Sequence, residues 1–135
     1  MIEAIFFDLY GTLAGFKPSR YEVQSNACSY FGIDLTAEGV IKGYGMADVY
    51  MSHENSVDPI RLKNSKKRDE FFAEYERLVL LGDDVKVGSN KALEIWRRVQ
   101  SIPYDIVLFD DVKHCLKLLK TKYSLTLAKN EFVQP

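Results

Sequence analysis

The first thirteen residues constrain this chain more than any other stretch. Ile2, Ala4, Ile5, Phe6 and Phe7 form an apolar run in which Glu3 is the one polar member, and the run stops on Asp8. A short segment with almost no polar face predicts a strand over residues 2–7, buried on both sides as in a parallel sheet. Asp8 then stands at the carboxyl end of that strand. Open α/β sheets bind their ligands at that end, so a carboxylate fixed there is a candidate nucleophile or metal ligand. Gly11 permits a sharp turn, and Thr12 brings a hydroxyl and a backbone N–H that can face an anion held in the same turn. The plain alternative is that Asp8 only caps a turn after a strand.

The apolar run followed by Asp8-Leu9-Tyr10-Gly11-Thr12-Leu13 resembles the first motif of the haloacid dehalogenase (HAD) superfamily, whose leading Asp attacks the substrate and forms a covalent aspartyl intermediate. Most phosphatases of that family carry a second Asp two positions on, as general acid and base. Here Tyr10 takes that place, as in the Asp-x-Tyr-Gly-Thr-Leu version of the L-2-haloacid dehalogenases. A phenol, with a pKa of about 10, exchanges protons poorly near neutrality, which favours attack on carbon over acid-assisted phosphoryl transfer. The resemblance implies Asp8 and Tyr10 as the catalytic pair, with Asp8 the nucleophile and Tyr10 shaping the pocket. Thr12 would help to bind the leaving group or a substrate carboxylate.

At 135 residues, 47% of them hydrophobic, the chain has the size of one domain, or of one domain with an insertion. Eighteen basic and nineteen acidic residues are interspersed and leave a formal net charge of −1, so neither nucleic acid nor an anionic membrane is an expected partner. The opening run lacks a basic leader and is broken by Glu3 and Asp8, unlike a signal peptide or a membrane span; a cytoplasmic location is the default expectation. Cys28 and Cys115 fall in helical patterns and are too few for a disulfide framework; both are expected to be small buried residues.

Beyond the turn, Gly15 and Pro18 break the strand pattern, and Ser19 with Glu22 three residues on gives a capping-box signature for a helix ending near Gly32. Thr36 opens a second helix to about His53, with Val40, Ile41, Tyr44, Ala47, Val49 and Met51 on its apolar face. Gly39, Gly43 and Gly45 interrupt it, either for close helix packing or for flexibility near an entrance. Residues 55–63 read as a polar loop. Ser65 caps a third helix with Phe71, Phe72, Tyr75, Leu78 and Val79 on one face, and Asp83 and Asp84 follow in a solvated loop. Ser89 caps a fourth helix carrying Ala92, Leu93, Trp96 and Val99, closed by Pro103. Asp110 or Asp111 then caps a fifth, with Val112, Cys115, Leu116, Leu118 and Leu119 buried, and residues 123–128 form a strand.

Four helices between the first strand and the last helix–strand unit resemble the family's inserted cap. The expected fold is therefore α/β: a partial HAD-like Rossmannoid parallel sheet with an inserted helical cap. Residues 1–14 and 104–135 would form the incomplete core, and residues 15–103 the cap. Where the family's second motif ends a strand in Ser/Thr-Asn, this chain has Lys129-Asn130, implied as substrate-binding residues.

The chain ends five residues past that pair. The expectation is that half of the family's core is missing, and with it the Lys or Arg that steadies the nucleophile and the acidic residues that complete a Mg²⁺ site. No cofactor is expected, Mg²⁺ entering only if the missing half is supplied. The functional expectation is a dehalogenase-like hydrolase of a small-molecule substrate, weak or inactive alone. A truncated, non-catalytic interaction protein and a Mg²⁺-dependent phosphatase lineage stand as alternatives. An uncovered first strand predicts a homo-oligomer, or pairing with the missing half.

Overall fold

The computed structural model describes residues 1–128 of the chain. It is a mixed α/β structure that divides into two compact units, one of Arg20–Pro103 and one of Met1–Ser19 with the chain from Tyr104 on. No helix of the described residues is long and apolar enough to cross a membrane.

In the unit that contains Met1–Ser19, β1 (Ala4–Phe7) pairs in parallel with β4 (Ser124–Leu127), in the register Ala4↔Ser124 to Phe7↔Leu127. The two apolar runs are thus the parallel neighbours their sequence predicts. A second pair went unforeseen: β2 (Ala14–Lys17) runs antiparallel to β3 (Asp105–Leu108). Gly15, expected to break the pattern, lies inside β2 and pairs with Val107. Helix α5 (Val112–Lys120) follows β3 and leads into β4.

Two burial expectations are corrected here. β1 is not buried on both sides: Ile5 and Phe7 are half-buried while Ala4 is exposed and Phe6 is 70% exposed. A two-stranded sheet offers one covered face at most among the described residues, and the alternation is what such a strand shows. On α5, Val112 is buried, but Cys115 and Leu118 are exposed, so only Cys28 of the two cysteines is a buried residue.

The other unit is built from α1 (Arg20–Ser29), α2 (Ala37–Val57), a 3-10 turn (Ile60–Leu62), α3 (Ser65–Leu81) and α4 (Ser89–Ser101). Side-chain caps open α2 and α3, whereas α4 starts from Gly88 with no side-chain cap and Ser89, expected to cap it, is its first helical residue. Thr36 accepts a hydrogen bond from the Gly39 N–H at 3.0 Å, as a Thr before a helical run should. At α3 the cap is Asn64, which accepts from the Lys67 N–H at 2.9 Å, and Ser65 is the first helical residue. α2 runs one turn beyond His53 because Asn55, read as loop, turns its side-chain oxygen to the Ile60 N–H at 2.9 Å and organises the exit.

Two hydrophobic clusters fill this unit. One joins Val23, Ala27 and Cys28 of α1 to Leu35, Val40, Leu80, Ile95 and Val99. The other packs Ala47 against Phe71, Tyr75 and Val79, with the Trp96 ring stacked on Phe72 at 4.4 Å and edge-on to Tyr75 at 5.6 Å. Between them α2 and α3 cross at closest range through glycine. A Cβ on Gly43 would run into the Val79 carbonyl, and one on Gly82 into the backbone of Gly39 and Gly43. Gly45 differs, having open space where a Cβ would be. Ile41 and Val49, expected on the apolar face of α2, point away from it and are exposed.

Candidate active site

Asp8 leaves the end of β1 where the neighbouring strand still runs beside it, since the Ala128 N–H donates to the Phe7 carbonyl at 2.8 Å. The chain then folds back on itself. The Leu9 carbonyl accepts from the N–H groups of Leu13 and Ala14, each at 2.9 Å, and the Gly11 N–H donates to the Ala14 carbonyl at 2.8 Å. Gly11 sits at φ 77°, a left-handed conformation that costs an L side chain roughly 1–2 kcal/mol.

That turn brings Asp8 and Thr12 together: the Thr12 hydroxyl donates to Asp8 Oδ2 at 3.4 Å, a long and therefore weak bond. Both residues are exposed, so the carboxylate keeps an oxygen open to an incoming reactant. Tyr10 lies in the same turn, its half-buried ring stacked on Phe16 at 5.4 Å, and Phe16 meets Tyr104 edge-on at 5.1 Å. Phe16 and Tyr104, which the sequence reading did not single out, thus form an aromatic row with Tyr10. Such a row offers an apolar flank to a substrate and fixes the phenol by stacking, independent of proton exchange. Lys129 and Asn130, the expected substrate-binding pair, lie outside the described residues.

Among the described residues no lysine or arginine forms an ion pair with Asp8. Nor do three or more His, Cys, Asp or Glu side chains converge on one point among them. Arg20 is committed elsewhere. Its guanidinium forms a fork with Asp48 at 3.1 and 3.3 Å and lies 4.1 Å over the Tyr44 ring.

The helical unit holds a second polar cluster. Tyr75 donates to Asp48 Oδ1 at 2.7 Å, Tyr44 donates to Gln24 Oε1 at 3.0 Å, and the Gln24 amide donates to Glu76 Oε1. Glu76 and Gln24 are wholly buried, and Glu76 Oε2 has no hydrogen-bond partner. Burial pushes the Glu76 carboxyl up to about 7 from an ordinary 4.5, against the opposing pull of the Gln24 amide. It also pushes the Cys28 thiol up to about 12, helped by the nearby Glu76 charge, which makes that buried thiol unreactive. The signal in the sequence was a polar residue at a core period. Gln24 precedes Ala27 and Cys28 by three and four positions, and Glu76 stands in the same relation to Val79 and Leu80.

Asp83, expected to be solvated, also has a structural task. It accepts from the Thr36 hydroxyl at 2.9 Å and from the Thr36 N–H, so the end of α3 clamps the start of α2. No protein-family model and no curated protein matches the chain.

Proposed function

We propose that the chain is a HAD-like hydrolase of the haloacid dehalogenase type, acting on a small molecule through a covalent ester on Asp8. One observation carries the reading: a carboxylate at the end of a parallel strand, in an Asp-x-Tyr-Gly-Thr-Leu turn that aims the Thr12 hydroxyl at it. An Asp8 oxygen attacks the carbon bearing the halogen, the carbon–halogen bond breaks and halide leaves with the electron pair. Water then hydrolyses the ester, returning the Asp8 carboxylate and an alcohol and releasing one proton to solvent. Tyr10, stacked on Phe16, shapes the apolar flank. On this reading the helical unit is an inserted cap on a partial HAD-like core. Tyr10 at the acid/base position disfavours the phosphatase lineage.

Because no cation pairs with Asp8 among the described residues, the isolated chain turns over slowly; loss of one preorganised stabiliser costs on the order of 10²–10³ in rate. The test is halide release from 2-chloropropionate in ¹⁸O-water, beside p-nitrophenyl phosphate with and without Mg²⁺. A slow release abolished by Asp8→Asn, with one ¹⁸O found in Asp8 after a single turnover, supports the reading. Release unchanged in Asp8→Asn refutes it.

A second reading, a non-catalytic family member that associates with itself, is favoured by the apolar side chains exposed on the sheet unit: Phe6, Ile106, Leu108, Leu118 and Leu127. Light scattering over a concentration series separates the two readings when combined with the turnover assay. A monodisperse 15.5 kDa species at high concentration rejects self-association.

A further inference from the structure

The Gln24 amide is a fully buried polar bridge between α1 and the rest of the helical unit. Its oxygen accepts from Tyr44 on α2 and its nitrogen donates to Glu76 on α3, with the Cys28 sulfur at 3.5 Å from the same nitrogen. Both lone pairs of Glu76 Oε2 are left without a donor in a site closed to water. A neutral carboxyl tolerates this at the cost of one unmade hydrogen bond, whereas a carboxylate there would be a buried charge with a single amide donor.

Apart from the Gln24 amide, no group among the described residues is placed to offset a charge on it. From α1 the titratable neighbour is Cys28 and from α2 it is Tyr44, both acids whose own ionisation would add repulsion, and burial pushes both upward. From α4 the buried side chains are the apolar Ala92, Ile95 and Val99. Tyr75, the neighbour of Glu76 on α3, points its hydroxyl to Asp48. Arg20 lies on the face of Tyr44 and is held by Asp48.

We propose that α1 is a proton latch: while Glu76 is neutral, Gln24 holds α1 against α3, and loss of that proton releases α1 so that water can reach the carboxylate. α1 is the element that yields because its buried apolar side chains are small, Val23, Ala27 and Cys28, whereas α2 and α3 interlock through glycine and bury Phe71, Tyr75 and Leu80. Arg20, which pairs with Asp48, bonds Tyr75 and lies over Tyr44, is the first residue of α1, so its contacts can persist at the hinge while the rest of the helix parts from α3.

Cys28 reports the release directly, being buried on α1, while the exposed Cys115 reports the pH dependence of thiol chemistry itself. The intact chain is pulsed with iodoacetamide between pH 5 and pH 9, and the labelling of the two cysteine peptides is compared by mass spectrometry. The Cys28-to-Cys115 ratio should rise more than about tenfold from pH 5 to pH 7 and level off above pH 8, because an opened α1 exposes an ordinary carboxyl that sheds its proton earlier. In Glu76→Gln the ratio should stay flat. A flat ratio in the unaltered chain, or the same rise in Glu76→Gln, overturns the proposal. Infrared difference spectroscopy on the unaltered chain gives a reading that needs no variant. A carboxylic-acid carbonyl band should persist at pH 6, where exposed carboxylates are ionised, and disappear by pH 8. Its absence at pH 6 equally overturns the latch.

Discussion

The crossing of α2 and α3 predicts opposite outcomes for one substitution made at two positions of the same helix. Gly43→Ala and Gly45→Ala each gain helix propensity, worth about 1 kcal/mol in a helix interior. At Gly45 nothing lies within 4 Å of the added Cβ, so that gain should appear undiminished as stabilisation of roughly 0.5–1 kcal/mol. At Gly43 the Cβ meets the Val79 carbonyl oxygen, with the Val79 carbonyl carbon at 2.7 Å and Cα at 2.9 Å. These are backbone atoms of a helix in the core and cannot swing aside, so the helices must separate. Separation also loosens the contact of Gly82 with Gly39 and Gly43 and the packing of Ala47 on Val79. Overpacking of this kind costs about 1–3 kcal/mol, and rigid obstacles put it at the upper end. After subtracting the propensity gain, Gly43→Ala should destabilise by roughly 1–2 kcal/mol, leaving the two variants about 1.5–3 kcal/mol apart. For a unit of this size each kcal/mol moves Tm by about 4–8 °C, so the melting points should differ by at least about 6 °C. The assay is thermal and urea unfolding followed by the fluorescence of Trp96, the single tryptophan, which sits in the α3–α4 packing of the same unit. Equal melting points, or a stabilised Gly43→Ala, would refute the glycine crossing.

Three further outcomes follow from the same geometry. The unfolded chain releases the Glu76 proton near 4.5 while the native one keeps it to about 7, so the native state binds more protons between these values and stability falls as pH rises through them. The fall should approach roughly 3 kcal/mol and then cease; urea unfolding at pH 5 and pH 8 should show it in the unaltered chain and not in Glu76→Gln. Thr36→Ala removes both the α2 cap and the hydroxyl partner of Asp83 and should cost about 1–2 kcal/mol by the same unfolding assay, an unchanged midpoint refuting the clamp. Gly11→Ala meets no atom within 4 Å, so its penalty is conformational only, about 1–2 kcal/mol; amide exchange in β1 and β4 should speed up while that of α3 does not.

What the sequence disclosed and what it hid divide along physical lines. The runs at residues 2–7 and 123–128 became β1 and β4, since apolar character over a few residues is a local signal. Thr36 announced its helix because a cap acts within three residues. β2 and β3 were missed for the converse reason: Ala14–Lys17 is four residues with a glycine inside, and only pairing across ninety positions makes it a strand. Residues 104–109 did carry a readable signal in Ile106, Val107 and Leu108, bounded by Pro103 and Asp110. The turn motif at residues 8–13 was legible as residue types. Its aromatic row was not, because Tyr10, Phe16 and Tyr104 meet only through the fold. Burial misled at β1, where composition suggested two covered faces and the described sheet supplies neighbours for one.

The division of burial bears on the proposed chemistry. Among the described residues, Ala14 and Val112 are the buried hydrophobic side chains of the sheet unit, and all the others belong to the helical unit. Stability in such a molecule resides in the helical unit, while Asp8 stands on the element with less core beneath it. Covalent catalysis needs the nucleophile held to about 0.5 Å by supporting contacts, and a turn fixed chiefly by its own backbone hydrogen bonds and one stacked ring supplies only part of that. On the proposed function, covering the exposed Phe6, Leu108 and Leu127 should steady the sheet unit that carries Asp8, even though none of them is proposed to touch substrate. Any chain that covers those side chains binds the folded sheet in preference to the unfolded one and raises its population by mass action. On the proposed function, the rate of hydrolysis per chain should follow how well the exposed apolar side chains of the sheet unit are covered.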